Sequence, residues 1–428
     1  MCSYFELASL SIIILYVFLL FRNMDPLIAT AICVGLGFLW NWDNPLTIGN
    51  TLANALGSFM ALVGFIIMLG RGLGEVLTYT RVSHTLVHHI VYGIGVNTQR
   101  RAKLGIILSS FTIVGLLGTL AGGLAIIAPS LRPVAGSVGL SRPSLAVLMQ
   151  ASAEEALILG PFAPPVVALL GITGLNYAQV VLYAALPIAL ITLITTWFMA
   201  NRLQQQYSEK LCDNGDSAEP FIPTLQQNRS TLFFLVAFLV CVLYGLLNLA
   251  KTSYVIFVML FLALSVGLVS KLTIKTISNL LIQGMQKSLH LFFLFILFDP
   301  FMLLIQQAGG FQALTACLKP LIQVGGKPIL SILIGFTGAF GMPGAAEATI
   351  KMLHQLFNPA VIEMQLPVLS FALAMIFATR VTNYAYPGAN MFAAMGFAGS
   401  ENVKAMLKNG LAVTLVQVLF LIIYSLFL

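Results

Sequence analysis

Glu154 and Glu155 are adjacent carboxylates in an otherwise apolar stretch, just ahead of Gly160-Pro161 and Pro164-Pro165. Proline removes a backbone donor and disrupts a helix. An interrupted helix exposes carbonyls, and its half-helix ends carry partial charge. Together with the carboxylates and Ser152, such a break suits Na⁺ or a proton. The competing reading places the acids in water at a helix end. The matching segment of the second half runs Thr379-Arg380-Val381-Thr382-Asn383, then Tyr386-Pro387-Gly388-Ala389-Asn390. Here a guanidinium stands beside hydroxyls and amides, again before a break. Guanidinium suits bidentate capture of a carboxylate; Arg380 equally suits an internal bridge to Glu154 or Glu155.

Other ionisable residues within apolar stretches are few, and each is a functional hypothesis by default. Glu347 follows the Gly344 turn and precedes Lys351 at helical i, i+4 spacing, which serves either a site or a surface ion pair. Thr119, between Gly118 and Gly122, offers a hydroxyl and bare backbone to a cation or a carboxylate. Arg71 and Glu75 share the i, i+4 spacing and read as structural. Asp299-Pro300 reads either as a proton site or as a solvated helix end. His84 and His88 lie on one helical face, but the H-E-x-x-H pattern is absent, so a zinc site is not expected. No phosphate-binding loop, dinucleotide fingerprint or nucleophile elbow occurs, so neither cofactor nor ATP-driven pumping is expected and the chain does not read as an enzyme.

These groups need elements to hold them, and composition names the solvent. Of 428 residues, 59% are hydrophobic and 8% charged, against about 25% charged in soluble domains. Only a bilayer suits such a surface. A crossing helix needs about 20 apolar residues. Candidates are 7–21, 26–40, 57–78, 143–172, 177–199, 230–248, 253–270, 281–307, 366–398 and 409–428. Two further apolar stretches, 104–140 and 328–358, are interrupted by glycines at Gly115, Gly118, Gly122 and Gly123, and at Gly338, Gly341 and Gly344. Each reads as a re-entrant helical hairpin, a form tolerated at membrane depth only inside protein or beside a watery cavity.

The two halves align. Ile48-Gly49-Asn50 matches Ile277-Ser278-Asn279 (277 − 48 = 229), and Gly115/Gly118 matches Gly338/Gly341 (338 − 115 = 223). Pro143-Ser144-Leu145 matches Pro367-Val368-Leu369 (367 − 143 = 224), and Gly171/Gly174 matches Gly396/Gly399 (396 − 171 = 225). The expected architecture is an all-α polytopic membrane protein of two inverted repeats, 1–200 and 230–428, joined by a cytoplasmic linker, 201–229. Each repeat holds about five crossings and one hairpin, and an odd number of crossings turns the second copy upside down.

The net charge of +7 lies in short loops and forms no basic stripe, so it orients spans rather than binding nucleic acid. If the segment with Arg81, Arg100, Arg101 and Lys103 is cytoplasmic, so are Arg22, Arg142, Arg202, Lys210, Arg229, Lys271, Lys275, Lys404 and Lys408. Five cysteines without C-x-x-C spacing imply neither disulfide nor metal cluster. The N-terminal apolar run has no cleavage pattern and is read as a retained span.

Hairpins at Gly115–Gly123 and Gly338–Gly344, with broken crossings at Ser152–Pro165 and Thr379–Asn390, resemble the ion transporter superfamily. It includes the sodium/proton antiporter C family, the gluconate permeases and the C4-dicarboxylate carriers. The resemblance covers nearly the whole chain and is one of architecture. It implies that hairpin tips and broken helices meet at a substrate and coupling-ion site. Dicarboxylate members often carry Ser-Asn-Thr at these places; this chain has Gly118-Thr119, Gly341-Met342-Pro343 and Thr382-Asn383. The expectation is Na⁺- or H⁺-coupled transport of a small organic anion, with Na⁺/H⁺ antiport as the alternative. Substrate contacts would fall to Thr119, Gly122, Ser152, Gly341, Gly344, Thr379, Arg380, Thr382, Asn383 and Asn390, and ion coupling to Glu154, Glu155 and Glu347. A multi-pass place in the cell membrane, of bacterial inner-membrane type, follows. Phe- and Leu-rich faces also permit a homodimer.

Overall fold

A computed structural model of the chain describes residues 8–22, 24–95, 97–207, 221–341 and 345–428. Those residues are helical throughout their regular structure. The chain order is α1 (Ser11–Phe21), α2 (Pro26–Trp40), α3 (Pro45–Leu56), α4 (Phe59–Tyr79), α5 (Val82–Ile94), α6 (Gln99–Leu117), α7 (Leu120–Ser137), α8 (Arg142–Leu159), α9 (Pro164–Thr173) and α10 (Tyr177–Gln206). After the linker come α11 (Leu225–Leu247), α12 (Tyr254–Val269), α13 (Ile274–Gln286), α14 (Leu289–Gln307), α15 (Gly310–Thr337), α16 (Ala346–Glu363), α17 (Val368–Ala385), α18 (Ala389–Ala398) and α19 (Val403–Ser425).

Helix starts are written locally. Asp25 and Asn44 accept backbone N–H bonds ahead of Pro26 and Pro45, and Ser58, Thr98, Ser141, Thr224 and Thr273 cap their helices the same way. Such caps satisfy donors that the helix itself leaves open.

Among the described residues, eight helical segments are long and apolar enough to cross a bilayer, and α1, α2, α12 and α18 are shorter apolar helices. α4 and α17 are mostly buried, whereas α11 is mostly exposed. What α11 exposes is Leu232, Leu235, Val236, Leu239, Val240 and Leu243. Only lipid covers such a face without cost. The chain is a multi-pass membrane protein.

The succession of elements recurs. α3 and α13 begin 229 residues apart (274 − 45), α8 and α17 begin 226 apart (368 − 142), and α9 and α18 begin 225 apart (389 − 164). Left-handed backbone recurs at the same spacing: Trp42 and Lys271, Arg81 and Gly309, Gly139 and Gln365, Gly174 and Gly399. Packing partners exchange as well. α4 packs on α12 and α13, while α14 packs on α2 and α3; α8 packs on α6 and α10, while α17 packs on α15 and α19.

Several elements differ from the expectation. The stretch 281–307 is not one helix, because α13 ends at Gln286 and α14 starts at Leu289. Short helices α3 and α5 fill segments read as loops. Within α15 the backbone kinks at Gly326, which has φ +60°. The expected hairpin 104–140 is α6 and α7 joined at Gly118, and 143–172 is α8 and α9 parted by a non-helical step at Gly160–Ala163.

A candidate ion site where two broken helices meet

In α8 and α9, Pro161 cannot donate to Leu157 O, nor Pro165 to Pro161 O, so the helix ends at Gly160 and resumes at Pro164. Tyr177 Oη donates to Leu159 O at 2.6 Å, serving one carbonyl of that last turn. In α17 and α18, Pro387 leaves Asn383 O without its helical donor, and Gln150 Nε2 of α8 donates there at 3.0 Å. The first break is thus braced from α10, and the second directly from α8.

The side chains above these breaks converge. Glu154 accepts hydrogen bonds from Asn383 Nδ2 at 2.7 Å, Asn390 Nδ2 at 2.8 Å and Arg380 Nη1 at 3.2 Å. Arg380 Nη1 also donates to the Glu154 carbonyl at 3.1 Å and stands 3.8 Å from Glu155 Oε1. Tyr384 Oη donates to that Glu155 oxygen at 3.0 Å. Glu154, Glu155 and Arg380 are each 0% exposed. One guanidinium therefore faces two carboxylates in the buried interior, and the trio keeps one excess negative charge when both acids are ionised. Burying an uncompensated charge is costly, so the trio favours one further cation. Glu155 Oε2 and Gln150 Oε1 have no hydrogen-bond partner among the described residues. They are oxygen ligands of the kind a hard cation takes.

Both hairpin tips abut the breaks. A Cβ on Gly160 would lie 2.8 Å from Gly115 O, and one on Gly118 would lie 3.3 Å from Pro164 Cδ. Gly118 has φ +66°, a conformation glycine adopts without strain. At the other tip a Cβ on Gly338 would lie 2.4 Å from Ala378 O, and Tyr386 Oη donates to Ala339 O at 3.0 Å.

The expected site residues separate into groups. Glu154, Glu155, Arg380, Asn383 and Asn390 come together, and Thr379 Oγ1 receives Arg380 Nε at 3.2 Å. Glu347 is buried in the first turn of α16, within electrostatic range of Glu154 and Arg380. The hydroxyls of Ser152 and Thr382 bond within their own helices, to Leu148 O and Thr379 O. Thr119 and Gly122 lie beside Arg71 instead: a Cβ on Gly122 would be 2.5 Å from Thr119 Oγ1 and 3.6 Å from Arg71 Nε. Gly341 packs against Thr349. Gly344 lies outside the described residues.

Two expected ion pairs are replaced. Lys351 binds Asp299 of α14, not Glu347, so Asp299 is paired rather than a solvated helix end. Glu75 binds Lys287, not Arg71, and Arg71 Nε is buried without a hydrogen-bond partner among the described residues. Among the described residues no three or more of His, Cys, Asp and Glu come together as a metal-ligand cluster. Gln150, Tyr384, Thr192 and Gln417 complete the cluster and were not singled out from sequence. Gln150 and Tyr384 lie inside the two segments that were; Thr192 and Gln417 had no local signal beyond being polar in apolar helices.

Residues 1–200 match the model of the Na⁺/H⁺ antiporter family. A search of curated protein sequences returns no match. Among solved structures, the chain is similar to the YdaH transporter of Alcanivorax borkumensis, whose structure is described as having an unusual topology. The similarity has a TM-score of 0.53 at 15% identity and covers 99% of each chain. The fold is that of a membrane transporter.

Proposed function

We propose that this protein is an ion-coupled secondary transporter in which Glu154 and Glu155 bind the coupling cation, Na⁺ or H⁺, and Arg380 is their internal counter-charge. The observation that carries this is the two-to-one ratio of buried carboxylates to guanidinium on two interrupted helices. A carboxylate pair short of one positive charge takes Na⁺ and protons in competition, the requirement for exchanging one against the other. The antiporter-family match over 1–200 supports the same reading.

The recurring elements and exchanged partners support two repeats, 1–200 and 230–428, the second inverted, with 201–229 on the cytoplasmic side. Helices α2–α4 and α12–α14 pack on one another as a scaffold, and the hairpins with α8–α10 and α17–α19 form the moving bundle. Asp299–Lys351 ties one to the other.

A second reading, co-transport of a small organic anion, is favoured by Arg71. It is a guanidinium within the membrane with no acid partner among the described residues, since Glu75 is taken by Lys287. It stands beside Thr119, whose side chain makes no cap bond to α7. Guanidinium and hydroxyl are both groups that a carboxylate accepts hydrogen bonds from. Arg380, already committed to two glutamates, is the weaker receptor.

Purified protein in liposomes with an entrapped pH dye tests the main reading. An inward Na⁺ gradient should alkalinise the lumen, and Glu155→Gln should abolish the response. No difference between Na⁺ and choline in the wild type would overturn it.

A further inference from the structure

Beyond the carboxylate cluster, the seam between α10 and α19 holds polar side chains that no function above uses. Gln417 Nε2 donates to Thr192 Oγ1 at 2.6 Å, and Lys408 Nζ donates to Gln206 Oε1 at 3.1 Å. Residue numbers fall along α19 as they rise along α10, so the helices run antiparallel. Thr196 and Asn409 therefore lie between these two ties.

This stretch is buried: Thr192, Asn409 and Gln417 are 0% exposed and Thr196 is 1%. Yet Thr196 Oγ1, Gln417 Oε1 and both amide atoms of Asn409 have no partner among the described residues. Buried polar atoms are, as a rule, hydrogen-bonded, to ordered water where protein does not serve. At a helical rise of about 1.5 Å per residue, Thr192 to Thr196 is a step of about 6 Å and Gln417 to Asn409 about 12 Å. One water has the reach to bridge the first step, and a short file of waters the second.

The two ends of the seam differ. The inner end, at Thr192, lies within electrostatic range of Glu155, and the Thr192 hydroxyl itself donates to Ile188 O at 3.0 Å. The outer end opens among Arg202, Gln206, Lys404 and Lys408, all exposed. Buried apolar residues on the same two helices include Val413, Ala200 and Leu203.

We propose that the α10–α19 seam is a hydrated proton path between Glu155 and the membrane face bearing Lys404 and Lys408, with Thr196 and Asn409 holding its waters. The inference rests on Glu155 being a coupling carboxylate. A proton leaving the Glu155 carboxyl is taken by the first water of the file, and another is released from the last water at the surface. Threonine and the amides orient the waters and gain no charge. Na⁺, which would have to shed its shell to follow, needs another way out.

Two fluxes in proteoliposomes test this: Na⁺-driven pH change, and ²²Na⁺/Na⁺ exchange at equal pH, which moves no proton. In Thr196→Val and Asn409→Leu the proton-coupled flux should fall about tenfold or more, the effect of one added barrier step. Sodium-for-sodium exchange should stay near wild type, and Thr196→Ser should restore the proton flux. Thr196→Val leaves the helix intact, so it answers even if Asn409→Leu folds poorly. Unchanged proton flux in both variants would overturn the path, as would a parallel fall of both fluxes. A wild type that exchanges Na⁺ without any pH response would instead refute the underlying reading of Glu155.

Discussion

Glu154 and Arg380 lie 226 positions apart in sequence and touch through a 3.2 Å ion pair. The same spacing separates the starts of α8 and α17 (368 − 142 = 226), so the two residues lie equally far into these two helices. Thr192 and Gln417, 225 apart, meet in the same way. In the proposed repeat these are corresponding positions in contact, and there the chain has put opposite charges. The asymmetry continues around the pair, since Asn383 and Tyr384 stand where the first half has Leu157 and Ile158 (383 − 157 = 226).

Removing one member of a buried pair leaves the other uncompensated. Arg380→Met should therefore cost about 3–5 kcal/mol of stability. Glu154→Gln with Arg380→Met should cost less than the sum of the two single changes. Denaturant or thermal unfolding of the four proteins in detergent gives the coupling. Strict additivity would mean that the pair contributes no interaction of its own.

Competition for the carboxylates fixes the sign of the pH dependence. A carboxylate binds Na⁺ only after losing its proton, so apparent Na⁺ affinity should strengthen as pH rises, and Na⁺ addition should release protons. Calorimetric titration in buffers of different ionisation enthalpy counts the protons. Affinity that is flat with pH would place the Na⁺ site on neutral ligands alone.

The second hairpin tip has no room for a methyl group. A Cβ on Gly338 would sit 2.4 Å from Ala378 Cβ and from Ala378 O. Gly338→Ala should push the tip off α17, lowering stability by about 1–3 kcal/mol and slowing transport. Gly396→Ala, where no heavy atom lies within 4 Å of the Cβ site, is the matched control and should be near neutral.

Arg71 separates the two transport readings. If it receives a carboxylate, Arg71→Gln should abolish protection by succinate in a thermal-shift assay with Na⁺ present and leave Na⁺-driven pH change intact. Equal loss of both would make Arg71 a structural residue of α4.

Much of this was legible in the sequence because glycine and proline act locally. Pro161, Pro164, Pro165 and Pro387 mark the breaks by removing donors, and Gly118 marks a hairpin tip by its left-handed backbone. What could not be read was which side chains meet across the bundle. Glu347 and Lys351 have the right helical spacing, but Asp299 on another helix is the partner Lys351 takes. Gln150 looked like one more polar residue, and its role appears only once Pro387 is seen to strip Asn383 O of its donor. The split between α13 and α14 was missed for a different reason. No proline punctuates it, and the polar residues at the break, Gln286, Lys287 and Ser288, lie inside the stretch 281–307 that reads as one span.

Equilibrium ²²Na⁺ binding to the purified protein bears most directly on whether the glutamate pair is the cation site. Saturable binding to the wild type is expected, displaced by acid, and abolished in Glu155→Gln while Ser152→Ala retains it. Undiminished binding in Glu154→Gln and Glu155→Gln proteins that still fold would contradict the account.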